Sequence, residues 1–164
     1  MSEYYAIVEY ESLQDARLGI EVLEKSHFTQ DEVSLITSAS DSAVAEIDQL
    51  IDQSADSDSS GRGVGIGALI GGAATAPVAI GTMIGPFIVA GPLLGLAVGA
   101  GLGGLFEGTQ NDTLRDLSQD YEDRIKAGSV LIVISVDSRV RLDDAVNPLL
   151  TTGPKSLERI EPAE

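Results

Sequence analysis

One histidine, no cysteine and no lysine between Lys25 and Lys126 leave this chain few ways to do covalent chemistry. His27 follows the first predicted helix and precedes Phe28. An imidazole can act as a general base near neutral pH, but at a helix C-terminus it more often complements the helix dipole. The stretch "GRGVGIG" at 61–67 has the glycine density of a nucleotide loop. A phosphate loop would end in Gly-Lys-Ser/Thr, and a dinucleotide fingerprint would open directly after a strand. This stretch follows serines and aspartates, so it reads as linker. Asp52, Asp56 and Asp58 lack the Asp-x-Asp-x-Asp-Gly spacing and closing glutamate of a calcium loop. Asp143 with Asp144, and Asp120 with Glu122 and Asp123, are spaced as polar helix faces. Spacing alone does not make a glycosidase-like pair of any of them. A nucleophilic Ser129 or Ser135 would depend on His27, far off in sequence. The expectation is a non-enzymatic protein with no catalytic residue, no metal site and no cofactor.

Charge narrows the partners. Twenty-six acids against 10 bases give a formal net charge of -16, which repels nucleic acid and anionic headgroups. Without cysteine there are no disulfides, thiolate nucleophiles or cysteine-ligated metals. "MSEYYAIVEYE" has neither the basic start nor the apolar core of a secretory leader. The acidic part is therefore expected on the cytoplasmic side.

The elements that could position these residues fall into two sets. "YYAIVEY" at 4–10 alternates and is rich in aromatic and β-branched residues, as a strand is. Residues 12–26 place Leu13, Ala16, Ile20 and Leu23 on one helical face, with Ser12 able to cap and Asp15 three positions on. "VSLITS" at 33–38 is a second strand. "SVLIVISV" at 129–136 has the continuous apolar character of a central strand. Leu142, Ala145, Val146 and Leu149 then keep helical spacing, with Pro148 predicting a short or kinked helix. Gly153-Pro154 marks a turn before a final edge strand in "KSLERIE". The order β–α–β, β–α–β predicts an α+β, ferredoxin-like (βαββαβ) antiparallel sheet formed by 1–40 plus 128–164. Residues 41–127 become a helical insertion between the second and third strands. Its entrance carries Val44, Ile47, Leu50 and Ile51 on one face. Its exit carries Leu114, Leu117, Tyr121 and Ile125, with Asn111 or Asp112 to cap and Gly128 to end the helix.

Inside the insertion, 63–106 contains 44 residues without one ionisable side chain, 13 of them glycine. Gly63, Gly67 and Gly71 recur every fourth position, as do Gly91, Gly95, Gly99 and Gly103; Pro77, Gly85, Pro86 and Pro92 supply breaks or a hairpin turn. Each glycine costs a helix roughly 0.8–1 kcal/mol relative to alanine. That cost is recovered where bare faces let two backbones approach, as in glycine-zipper packing in membranes. A bilayer span needs about 20 residues, so Gly63–Thr82 and Gly85–Phe106 could make two transmembrane helices turning near "MIGP". An odd number of crossings would divide one sheet across a membrane, leaving two passes or none. Prolines, acidic flanks and short regular stretches fit a buried self-association element instead. Low-complexity disorder fits neither the Val and Ile content nor the Leu and Phe content.

The block "GPFIVAGPLLGLAVGAGLGGLFEG…TLRDLSQDYEDRIKAGSVLIVISVD" resembles an uncharacterised bacterial and archaeal family of glycine-rich transmembrane, general-stress-protein-17M-like proteins. Pro86, Pro92, Gly95, Gly99 and Gly103 match its apolar part, and Gly128-Ser129 before "VLIVISV" matches the start of its strand. The opening "AIVEYESLQDARLGIEVLEK" is similar too. The resemblance implies membrane association and a link to stress response, with no established chemistry. The expected function is a structural or stress-associated protein that binds membrane lipid or forms a homo-oligomer through the apolar hairpin. The alternative is a soluble oligomeric ligand-binding or regulatory module that buries the hairpin.

Overall fold

The computed structural model describes residues 4–29, 31–38, 82–84, 87–90 and 120–161. The alternating N-terminus forms strand β1 (Tyr4–Tyr10), followed by helix α1 (Leu13–Lys25) and strand β2 (Val33–Ser38). The late apolar run is strand β5 (Val130–Val136), followed by helix α2 (Arg139–Leu150) and strand β6 (Ser156–Ile160). These four strands form an antiparallel sheet in the order β2-β5-β1-β6, with the helices packed on it. β5 and β1 are central, which accounts for the unbroken apolar character of β5.

Between β2 and β5 lie two short strands, β3 (Thr82–Ile84) and β4 (Phe87–Ala90), which extend the sheet beyond β2 in the order β3-β4-β2. The pairing is antiparallel, with Ile36 opposite Val89 and Met83 opposite Ile88. This corrects the helical expectation at Thr82 and at Phe87–Ala90, while Met83 and Ile84 belong to the stretch expected to turn. Thr, Ile, Phe and Val suit a pleated edge better than a helix. The remainder of 63–106 lies outside the described residues, and so do the entrance arm and Leu114 and Leu117 of the exit arm.

Strand alternation sends Ala6, Val8 and Tyr10 of β1, with Val130, Ile132, Ile134 and Val136 of β5, to one face of the sheet. There they meet Leu13, Ala16, Ile20 and Leu23 of α1 and Leu142, Ala145, Val146 and Leu149 of α2, the two stripes expected from spacing. Ser12 caps α1: its Oγ accepts from the Asp15 N–H at 3.2 Å and donates to Asp15 Oδ2 at 2.8 Å. Ser138 caps α2 by accepting from the Arg141 N–H at 3.3 Å. Pro148 is accommodated inside α2 because it falls in the last turn, where its missing N–H removes a single helical bond.

α1 ends in a Schellman arrangement: His27 N–H donates to the Glu24 carbonyl and Phe28 N–H to the Leu23 carbonyl, both at 3.0 Å. The left-handed position that such a cap requires is filled by His27, with φ of 60°. The helical residues 120–126 end in the same way, with Gly128 at φ 112° and Ser129 N–H donating to the Arg124 carbonyl at 3.0 Å. Gly128 ends the exit helix, as its type and position predict.

The opposite face of the sheet is also buried. Tyr5, Ile7, Ile36, Leu131, Val133 and Ile160 point there and are nearly inaccessible. Residues 120–126 lie over it, bringing Tyr121 and Ile125 into burial and Arg124 into contact with Glu9. A sheet apolar on both faces places every polar side chain directed inward under strict demand for partners.

Candidate functional site

The most demanding of those side chains is Glu9, on β1 between Leu131 of β5 and Ser156 of β6. It is 1% exposed, and four side chains meet its carboxylate. Ser129 Oγ donates to Oε1 at 2.7 Å and Ser156 Oγ to Oε2 at 2.9 Å. Arg124 Nη1 donates to Oε2 at 3.0 Å, and Lys155 Nζ stands 3.5 Å from Oε1. The Lys155 N–H also donates to the Glu9 carbonyl at 2.7 Å. Burial pushes the carboxyl's pKa up, but the two serine hydrogen bonds and the charges of Arg124 and Lys155 outweigh it. The group is held below its ordinary value.

Each partner arrives by its own route. Gly128 turns the chain so that Ser129 enters β5 beside Glu9, and helical spacing sets Arg124 one turn after Asp120, which pairs with Nη2 at 3.0 Å. The turn after α2, with Gly153 at φ 74°, delivers Lys155 and Ser156 to the start of β6. Arg124 also lies 5.2 Å from the centroid of the Tyr121 ring. Tyr121 faces Glu158, and burial first, then the Glu158 carboxylate, raises its phenol pKa. Among the described residues, Tyr121 Oη and Glu158 Oε2 are buried and have no partner other than each other.

A second ion-pair cluster ties the loop after α1 to α2. Arg141 Nε donates to Glu32 Oε1 at 2.9 Å and Nη2 to Glu32 Oε2 at 3.0 Å. The same Nη2 donates to the His27 carbonyl at 2.9 Å, while the guanidinium carbon sits 3.8 Å over the Phe28 ring. Thr29 gives Glu32 Oε2 its N–H and its hydroxyl. Hydrogen bonding from Arg141 is the main reason that the Glu32 pKa is lowered.

The residues singled out from sequence are scattered by comparison. Ser129 reaches a carboxylate held ionised rather than His27, and a carboxylate so held is a weak base. His27 serves through its backbone. Asp143 pairs with Arg159, and Asp120 with Arg124. Among the described residues, no three side chains of metal-ligating type come together. Asp52, Asp56, Asp58 and the 61–67 glycines lie outside the described residues, as do Gly63, Gly67, Gly71, Pro77, Gly85, Pro86, Gly91, Pro92, Gly95, Gly99 and Gly103. Among the described residues no helix is long and apolar enough to cross a membrane.

Sequence reasoning passed over Glu9, although a signal was present. Tyr5 and Ile7 share its face, so an acid two residues on from them had to be buried and paired. The geometry defines an α+β unit whose polar centre is an electrostatic clasp between chain segments. No protein-family model, curated protein or solved structure matches the chain.

Proposed function

We propose that this is a non-enzymatic, stress-associated protein that attaches to a membrane through its uncharged run 63–106, with a ferredoxin-like acidic unit held on the cytoplasmic side. The resemblance to the glycine-rich transmembrane family carries the link to stress. The strand order β2-β5-β1-β6, with a helix after β1 and another after β5, supports the ferredoxin-like reading. The observation that carries most weight is the register of β2 against β5, where Ile36 stands opposite Leu131. The chain leaves the sheet after Ser38, rejoins it at β3 and β4, and enters β5 at Val130, so the long insertion begins and ends on neighbouring strands and touches the same sheet midway. With β3 and β4 held in the sheet, each flanking stretch, 39–81 and 91–129, starts and ends beside that sheet and so crosses a bilayer an even number of times or rests on one side. With a net charge of -16 on the chain and none on the run, attachment to lipid falls to the parts of 63–106 that flank β3 and β4, where fourfold glycine spacing favours close helix packing.

The test is fractionation of cells expressing the whole chain. The expected result is recovery with membranes, resistance to high salt and release by detergent. Recovery only in the high-speed supernatant refutes attachment. A second reading, burial of the run in a homo-oligomer, is favoured by the pairing of β4 with β2, which keeps Phe87–Ala90 beside the sheet. It predicts a discrete soluble assembly lost on Gly95→Leu plus Gly99→Leu, read by gel filtration with light scattering. Unchanged assembly in that variant refutes it.

A further inference from the structure

Most of the positive charge in the described part of the chain is already committed. Eight basic residues lie there, and six of them stand in ion pairs. Negative charge is in surplus. Glu11, Asp15, Asp31, Asp123, Asp137 and Asp144 are exposed, and none of them forms an ion pair. The imbalance is sharpest around Arg141. Its pKa is raised first by its hydrogen bond to Glu32 and then by the charges of Glu32, Asp144 and Asp137. One guanidinium therefore answers three carboxylates, and Asp31 stands next to Glu32 in the chain. Among the described residues no three metal-ligating side chains come together, so relief of the repulsion is left to diffuse ions of the medium.

We infer that the folded unit depends on ionic strength: dissolved salt screens its surplus carboxylates, and the fold reaches full stability only near molar concentrations of monovalent salt. Two effects of salt oppose each other here, because screening weakens attraction as well as repulsion. The pairs of Arg124 and Lys155 with Glu9 lose little, since that carboxylate is 1% exposed and beyond the reach of screening. Arg17–Glu21, Arg139–Glu161 and Arg159–Asp143 lie at the surface, where an ion pair contributes little to begin with. Repulsion, in contrast, is summed over a chain of net charge -16. The screening length falls from about 10 Å at 0.1 M salt to about 3 Å at 1 M, which removes most repulsion between neighbouring elements. Relief exceeds loss. The inference does not depend on whether the insertion meets lipid or protein.

Thermal unfolding of the full chain in KCl, followed by far-UV circular dichroism with one nonionic detergent at every concentration, tests it. The midpoint is expected to rise by about 5 °C or more between about 0.1 M and about 1 M KCl. A smaller rise, or a fall, overturns the inference. The second arm is the fourfold variant Glu11→Gln, Asp31→Asn, Asp123→Asn and Asp144→Asn, whose replaced carboxylates are exposed and hold no ion pair. It is expected to unfold at a higher temperature than the parent in dilute salt and to gain less from added KCl. A gain as large as the parent's would mean that salt acts by general exclusion from the protein surface and not through these charges. The inference would then be abandoned, whatever the parent's own rise.

Discussion

Gly19, in the middle of α1, is the position where propensity and packing make opposite predictions. Alanine in a helix interior is worth about 1 kcal/mol over glycine, so Gly19→Ala would stabilise a solvent-facing helix by roughly that amount. Here a Cβ at residue 19 would stand 2.5 Å from Tyr10 Oη, 2.9 Å from Tyr10 Cζ and 3.0 Å from Ile132 Cδ1. None of these atoms moves easily. Tyr10 and Ile132 are fully buried, and Tyr10 Oη is tied to Thr152 Oγ1 at 2.7 Å. Forcing one carbon into a packed core costs about 1–3 kcal/mol. Packing therefore wins, and we predict a net loss of about 1 kcal/mol. Urea unfolding followed by far-UV circular dichroism should show a lower midpoint with an unchanged slope. Tyr10→Phe alone should lose about 1 kcal/mol with the Thr152 bond, while also removing the nearest clashing atom. The double variant should thus be more stable than the sum of the single losses by about 1 kcal/mol. A Gly19→Ala protein more stable than the parent would refute the close approach of α1 to the sheet.

Three further outcomes follow from the capping and ion-pair geometry. His27→Gly should stabilise by about 1 kcal/mol in thermal or urea unfolding, because the exposed left-handed position strains a residue with a Cβ while the backbone bonds stay intact. Arg141→Lys should destabilise by about 1–2 kcal/mol, since an ammonium cannot make the two-pronged bond to Glu32, reach the His27 carbonyl and stack on Phe28 together. The Glu9 and Glu32 carboxyls both have lowered pKa values in the folded state. Their contribution is complete above the ordinary carboxylate value of 4.5 and fades as pH falls through the lower folded values. Guanidinium titrations from neutrality to about pH 3 should show a loss of stability that is smaller in Glu32→Gln; an equal loss in that variant would remove Glu32 from the account.

The helices α1 and α2 were legible because their apolar stripes are regular; Ser12 with Asp15 announces the start of α1, and Gly128 announces the end of the helical residues 120–126. The four strands were equally readable from the alternation in "YYAIVEY" and the density of "VLIVISV". What escaped was information carried by distant pairings. Thr82–Ile84 and Phe87–Ala90 lie in a run whose glycine spacing suggests helix, and only an edge at β2 gives them reason to extend. His27 at a left-handed position could not be anticipated, because the spacing of the cap calls for glycine there. Glu9 has partners 115, 120 and 147 residues away, so no local window holds its clasp. Residue type alone makes Pro148 look disruptive, whereas its place in the final turn makes it tolerable.

An antiparallel sheet in a small α+β protein commonly keeps one side wet. This one is buried on both sides, and over the second side lies the stretch 120–126, which belongs by sequence to the insertion. Excising residues 39–128 and joining the neighbouring strands with a tight turn would therefore leave a sheet with Ile7, Ile36, Leu131 and Val133 facing solvent and Glu9 deprived of Arg124. Such a minimal protein would be sticky rather than autonomous, because residues 120–126 belong to the insertion by sequence and to the sheet by packing.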